Sequence, residues 1–197
     1  MKALLAAASL CALLAAAPAW AQNGAASAAG TAGLSAQDQA FVKAAGAGNL
    51  GEADLGTLAE QEGATPAVRE FGRWMATYHG LVAEKWLAAI MADQHQSFHP
   101  TLSAQNEQLR RRLATLSGRR FDRGYIDAQV KAHEMTVPKF EKEAREGENP
   151  MLQLYARALT PVLEQHLAEA KALAGEGAAV AGAGANATAQ SGGSTRR

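Results

Sequence analysis

Three of the five histidines, His79, His133 and His166, and one carboxylate, Glu52, stand where the sequence otherwise repeats apolar residues at helical spacing. Neutral imidazole and carboxylate oxygen suit zinc, iron, copper or manganese, and the core between facing helices is where such ligands converge. Glu169 follows His166 by one helical turn on the same face and joins the candidate set. A lone histidine on an apolar line is usually a core residue satisfied by a neighbouring carbonyl or carboxylate. Here there are three, and their levels agree. Counted from a turn near Ala64, Glu52 lies 12 residues back and His79 lies 15 forward. At ~1.5 Å per residue the two differ in height by only about 4–5 Å. Around a second turn near Glu148, His133 is 15 back and His166 is 18 forward, the same offset. The spacing predicts a polar cluster at mid-core. It would hold one transition metal ion (zinc, iron, copper or manganese) or simply satisfy its own members.

Long helices must position these residues. Ser35 with Asp38 resembles a capping box, and the helix it opens runs to about Glu62. Thr65-Pro66 and Asn149-Pro150 are each an N-cap followed by proline at the first helical position. They open the second helix, to about Asp93, and the fourth, which the reading ends at Gly175. Ser103 starts a short helix carrying Leu109, Leu113 and Leu116; Gly118 breaks it, and the third long helix follows to about Glu146.

Each long helix carries an apolar line at spacings of three and four. The second reads Val68, Phe71, Met75, His79, Val82, Trp86, Ile90; the third Ile126, Val130, His133, Val137, Phe140. The fourth reads Leu152, Tyr155, Leu159, Val162, His166, Ala170, and the first, weaker, Phe41, Ala45, Gly48, Glu52, Leu55, Ala59. The expected fold is all-α: an antiparallel four-helix bundle with a short extra helix between helices two and three.

The ends differ from this middle. Residues 1–21 have Lys2, an apolar run and Ala19-Trp20-Ala21, the pattern of a secretory signal peptide with cleavage near Ala21. The apolar run is too short for a membrane span and does not recur, so no transmembrane segment is expected in the exported chain. Cys11 lies inside that run, and it is the single cysteine of the sequence, which excludes a disulfide scaffold and Cys-based metal sites. Residues 22–34 form an Ala/Gly/Ser-rich leader, 35–174 the bundle, and 175–197 a tail of the same composition expected to be disordered. The expected location is periplasmic or secreted.

Basic and acidic residues balance at 19 each, which excludes a globally basic nucleic-acid binder. Six arginines fall between Arg110 and Arg123, but Glu107, Asp122 and Asp127 interleave, so this stretch reads as a solvated face and no nucleic acid is expected. His95 and His99 read as polar loop residues. Pro138 and Pro161 lie inside helices three and four, where each removes a backbone donor.

Three stretches together resemble a known family: FVKAAGAGNLGEADLGTLAEQEGATPAVREFGRWMATYH, FDRGYIDAQVKAH and FEKEAREGENPMLQLYARALTPVLEQHL. They are similar, in order and over nearly all of 36–174, to the exported bacterial proteins grouped as domain of unknown function 4142. The resemblance implies a ferritin-like helical bundle in the bacterial envelope with no established activity. Its recurrent polar positions map onto Glu52, His79, His133 and His166. Members often have an acid directly before the first two histidines, where this chain has Tyr78 and Ala132, and they usually lack a proline like Pro138. The Glu-x-x-His pairs of a di-iron centre are missing, since Ala76, Val130 and Leu163 stand three residues before the histidines. A mononuclear site fits better. No catalytic motif is present and a non-enzymatic role is favoured. The competing readings are a metal-binding bundle and an envelope stress or interaction module whose polar core is purely structural, partnered by an envelope protein or a second copy.

Overall fold

The computed structural model describes residues 33–191, with side-chain surroundings over 33–177. The segments read as signal peptide and, up to residue 32, as leader lie outside the described residues. Among the described residues every regular element is helical: α1 (Ala36–Glu62), α2 (Pro66–Thr77), a π-helical turn (Tyr78–Ala83), α3 (Glu84–Asp93), α4 (Ala104–Leu113), α5 (Arg119–Glu146) and α6 (Pro150–Ser191). The fold is all-α. α2, the π turn and α3 follow one another without a break, so the chain makes four long rods, with α4 as the short helix between the second and third. α1 packs against α2, and α5 against α6, each pair antiparallel across a three-residue turn.

The helix starts follow their caps. Thr65 Oγ1 accepts from Val68 N–H at 3.3 Å, Ser103 Oγ from Asn106 N–H at 3.1 Å, and Asn149 Oδ1 from Leu152 N–H at 3.1 Å. Each satisfies a donor that the first helical turn leaves orphaned. Ser35 Oγ accepts from Asp38 N–H at 3.1 Å, but the Asp38 carboxylate does more than close a box. Its Oδ1 accepts from Glu148 N–H at 3.1 Å, pinning the α5–α6 turn. Asp122 on α5 is its counterpart, accepting from Ala64 and Thr65 N–H at 2.8 and 3.1 Å and so pinning the α1–α2 turn. One buried aspartate thus ties each helix pair to the other's turn.

Two features of the helical rods depart from the sequence reading. The π turn contains one residue more than an α turn, so it delays the phase of everything after it. Val82, expected inside, is 46% exposed, Trp86 is half-buried, and Ala83 and Leu87 take the core positions. The last helix also runs past Gly175 to Ser191, because glycine costs an alanine-rich helix only ~1 kcal/mol and no proline follows to stop it. Pro138 and Pro161 are exposed and lie within continuous α5 and α6.

α1 and α2 touch backbone to backbone. A Cβ on Gly56 would stand 2.6 Å from the Gly72 carbonyl oxygen, and one on Gly72 would stand 2.7 Å from the Glu60 nitrogen. Only hydrogen at both positions permits this approach, which brings the π turn against α1. The apolar core is not continuous along the rods. Phe41, Leu87, Phe140, Tyr155 and Leu159 pack in one cluster towards the α5–α6 turn, and Leu55, Phe71, Met75, Phe121 and Tyr125 in another towards the α1–α2 turn. A layer of buried polar residues separates them.

Candidate metal centre

That layer contains the three histidines. His79 comes from the π turn, His133 from α5 and His166 from α6; they are 4%, 2% and 0% exposed. One ring nitrogen of each lies within 4.8 Å of the others, and the ring centroids are 5.4–5.9 Å apart.

The ring orientations are set by hydrogen bonds away from the shared centre. His133 Nδ1 faces the Gln129 backbone carbonyl at 3.0 Å; a carbonyl can only accept, so Nδ1 carries a proton and Nε2 is the nitrogen left to bind a ligand. His79 is fixed by a longer chain. Tyr155 O–H donates to the Ala83 carbonyl at 3.1 Å and accepts from the Asn49 amide nitrogen at 3.1 Å. This turns Asn49 Oδ1 towards His79 Nδ1, again at 3.1 Å, and that nitrogen must donate. Nε2 of His79 and of His133, and both nitrogens of His166, have no partner among the described residues. An Nδ1–H held by a carbonyl with a bare Nε2 is the arrangement by which proteins orient imidazole towards a metal.

The surroundings favour the neutral ring at His166 and at His79. Burial, then the adjacent His133, pushes His166 down to about 3; burial, then His166 and His133, pushes His79 well below the ordinary histidine value. The Trp74 and Tyr78 rings stand edge-on to His166, with centroids 4.4 and 5.0 Å away, and cover that side. On the other side is a cavity of about 60 Å³ between α1 and α5, lined by Gly48, Asn49, Glu52, His79, His133 and Lys139 among others.

Of the five residues singled out from sequence, the structure brings three together. Glu52 is half-buried at the cavity wall, where its carboxylate accepts from Gln129 Nε2 at 2.7 Å. It stands beside the three-histidine group without being part of it. Glu169 is exposed and outside the group, because residue 170, one step further round the helix, continues the core face as buried Ala170. His95 and His99 are exposed and outside the group, as are all six arginines between Arg110 and Arg123, of which Arg110 pairs with Asp54 at 2.9 Å. Sequence reasoning passed over Asn49 and Gln129. A signal for Asn49 existed: it lies 15 residues before Ala64, as His79 lies 15 after it. Gln129 is one turn before His133 on the same face.

No curated protein matches this chain. The crystal structure of a DUF305 fragment from Deinococcus radiodurans is similar in fold, with a TM-score of 0.64 at 14% identity, over 73% of this chain and 98% of that one. The family model described as domain of unknown function (DUF4142) matches residues 23–173, and the chain belongs to that family.

Proposed function

We propose that the protein binds one transition metal ion through His79, His133 and His166. The observation that carries this reading is the set of unpartnered ring nitrogens. A buried imidazole nitrogen without a partner costs about 1–3 kcal/mol, and one metal ion shared by three rings whose nitrogens lie within 4.8 Å of one another would remove that cost. Three neutral nitrogen ligands without a carboxylate in the group favour zinc or copper over manganese, which prefers oxygen. Glu52 and Glu169 are not ligands in this reading; Glu52 braces Gln129, whose backbone carbonyl holds His133. Export is part of the same proposal: the signal-like residues 1–21 would deliver the bundle to the periplasm or medium.

The test is metal content of protein expressed with its own leader and purified without a His-tag. About one zinc or copper per chain is expected, falling to background in H133A. A metal-free wild type that takes up none of zinc, copper, iron or manganese would leave only the structural reading. An intact mass starting near Gln22 is the expected mark of export.

A further inference from the structure

We infer that the metal proposed above keeps one coordination position open towards the α1–α5 cavity, and that a small anion enters there. This rests on the metal-binding reading and adds a ligand class and a route to it. Imidazole binds a metal as an uncharged ligand, and the three histidines lie in a buried layer between two apolar clusters. A divalent ion there would keep both its charges uncompensated by the protein ligands, and a buried uncompensated charge is strongly unfavourable. Three protein ligands also leave one place vacant in the four-coordinate sphere of zinc or cobalt.

The geometry gives that place a direction. His166 is closed off by Trp74 and Tyr78, and it does not line the cavity. His79 and His133 do line it, and both have an unpartnered Nε2. The cavity has room for a few water-sized molecules, and the exposed residues Ala44 and Lys139 in its wall bring it to the surface. Lys139 is a cation on the route, suited to an anion. Glu52, opposite in charge, also lines the cavity, with its Oε2 accepting from Gln129 Nε2. Hydroxide is the anion available from water itself, and azide is a larger, linear probe of the same charge.

Gly48 makes the route testable. It lines the cavity, and a Cβ built on it meets nothing within 4 Å, so a larger side chain has open space to enter at the cavity wall. The experiment uses the full-length exported protein loaded with Co(II), titrated with sodium azide and followed by visible absorption. One Co(II) per chain with a tetrahedral spectrum is expected, and azide should shift it. G48L, and separately A44L, should bind the same one Co(II) but need at least tenfold more azide for the same shift. A wild-type Co(II) spectrum unmoved by azide would overturn the open position while leaving metal binding intact. An azide response in G48L and A44L equal to wild type would overturn the route through the cavity. Absence of bound Co(II) would overturn this inference, and the metal site falls with it only where zinc and copper are not taken up either.

Discussion

Replacing His166 with leucine separates a functional centre from a structural one most sharply. His166 is fully buried and neither ring nitrogen has a partner among the described residues. Leaving a polar group so placed costs about 1–3 kcal/mol, and leucine would retain apolar contact with the flanking Trp74 and Tyr78 rings. H166L in the presence of EDTA should therefore be more stable than wild type by about 1–3 kcal/mol at pH 7.5. Acid should widen the gap. His166 is held down to about 3, against about 6.5 when unfolded, so below pH 6.5 the unfolded chain takes up a proton that the native state refuses. Stability from this residue is thus complete above pH 6.5 and falls as pH drops towards the folded value. One pH unit below 6.5 the loss is about 1.4 kcal/mol, and H166L escapes it. The gap should grow by that amount between pH 7.5 and 5.5. Urea unfolding followed by helical circular dichroism, in EDTA at both pH values, measures it directly. Metal should reverse the order at pH 7.5: at 1,000 times its Kd a ligand bound only by the native state adds about 4.1 kcal/mol to wild type, and nothing to a variant that cannot bind it. An H166L protein less stable than wild type in EDTA at both pH values would refute the reasoning and mark His166 as a satisfied core residue.

Three further outcomes follow from other contacts. N49L removes the group that orients His79 and should weaken metal binding about 10–100-fold, read by competition with a chromogenic chelator, with helix content unchanged. G56A forces a Cβ to within 2.6 Å of the α2 backbone and should cost about 1–3 kcal/mol in urea unfolding; an unchanged midpoint would show that α1 and α2 can separate freely. Glu143 is raised to about 7 by burial and then by the adjacent Asp38, so its native state holds a proton that the unfolded chain releases near pH 4.3. Its contribution is present in acid and lost as pH rises through 7. E143Q, which keeps a donor permanently, should equal wild type at pH 4 and exceed it by about 1–3 kcal/mol at pH 8, and parallel pH profiles would contradict this.

Much of the molecule was legible along the chain because its determinants are local. A cap is read by the donor three residues on, so Thr65-Pro66 and Asn149-Pro150 marked their helices without any tertiary knowledge. The same holds for the apolar lines, since a periodicity near 3.6 must face a core wherever that core is. Polar residues on those lines at matched heights foretold that His79, His133 and His166 would share a layer, and they do.

What remained hidden depends on contacts between segments far apart in sequence. The π turn is a register shift of one residue, and its effect, burying Ala83 and Leu87 in place of Val82 and Trp86, follows from how the rod packs and not from local preference. Glu169 had the right spacing from His166, but the direction that counts as inward is chosen by the three neighbouring rods, and it fell at Ala170. Glu52 stood at a suitable height yet came to rest at the cavity wall, while Asn49, one turn earlier, met the imidazole. The cavity itself is the space left where α1 and α5 lie apart. Spacing along a helix sets height and approximate azimuth; only packing decides which side chains at one height actually touch.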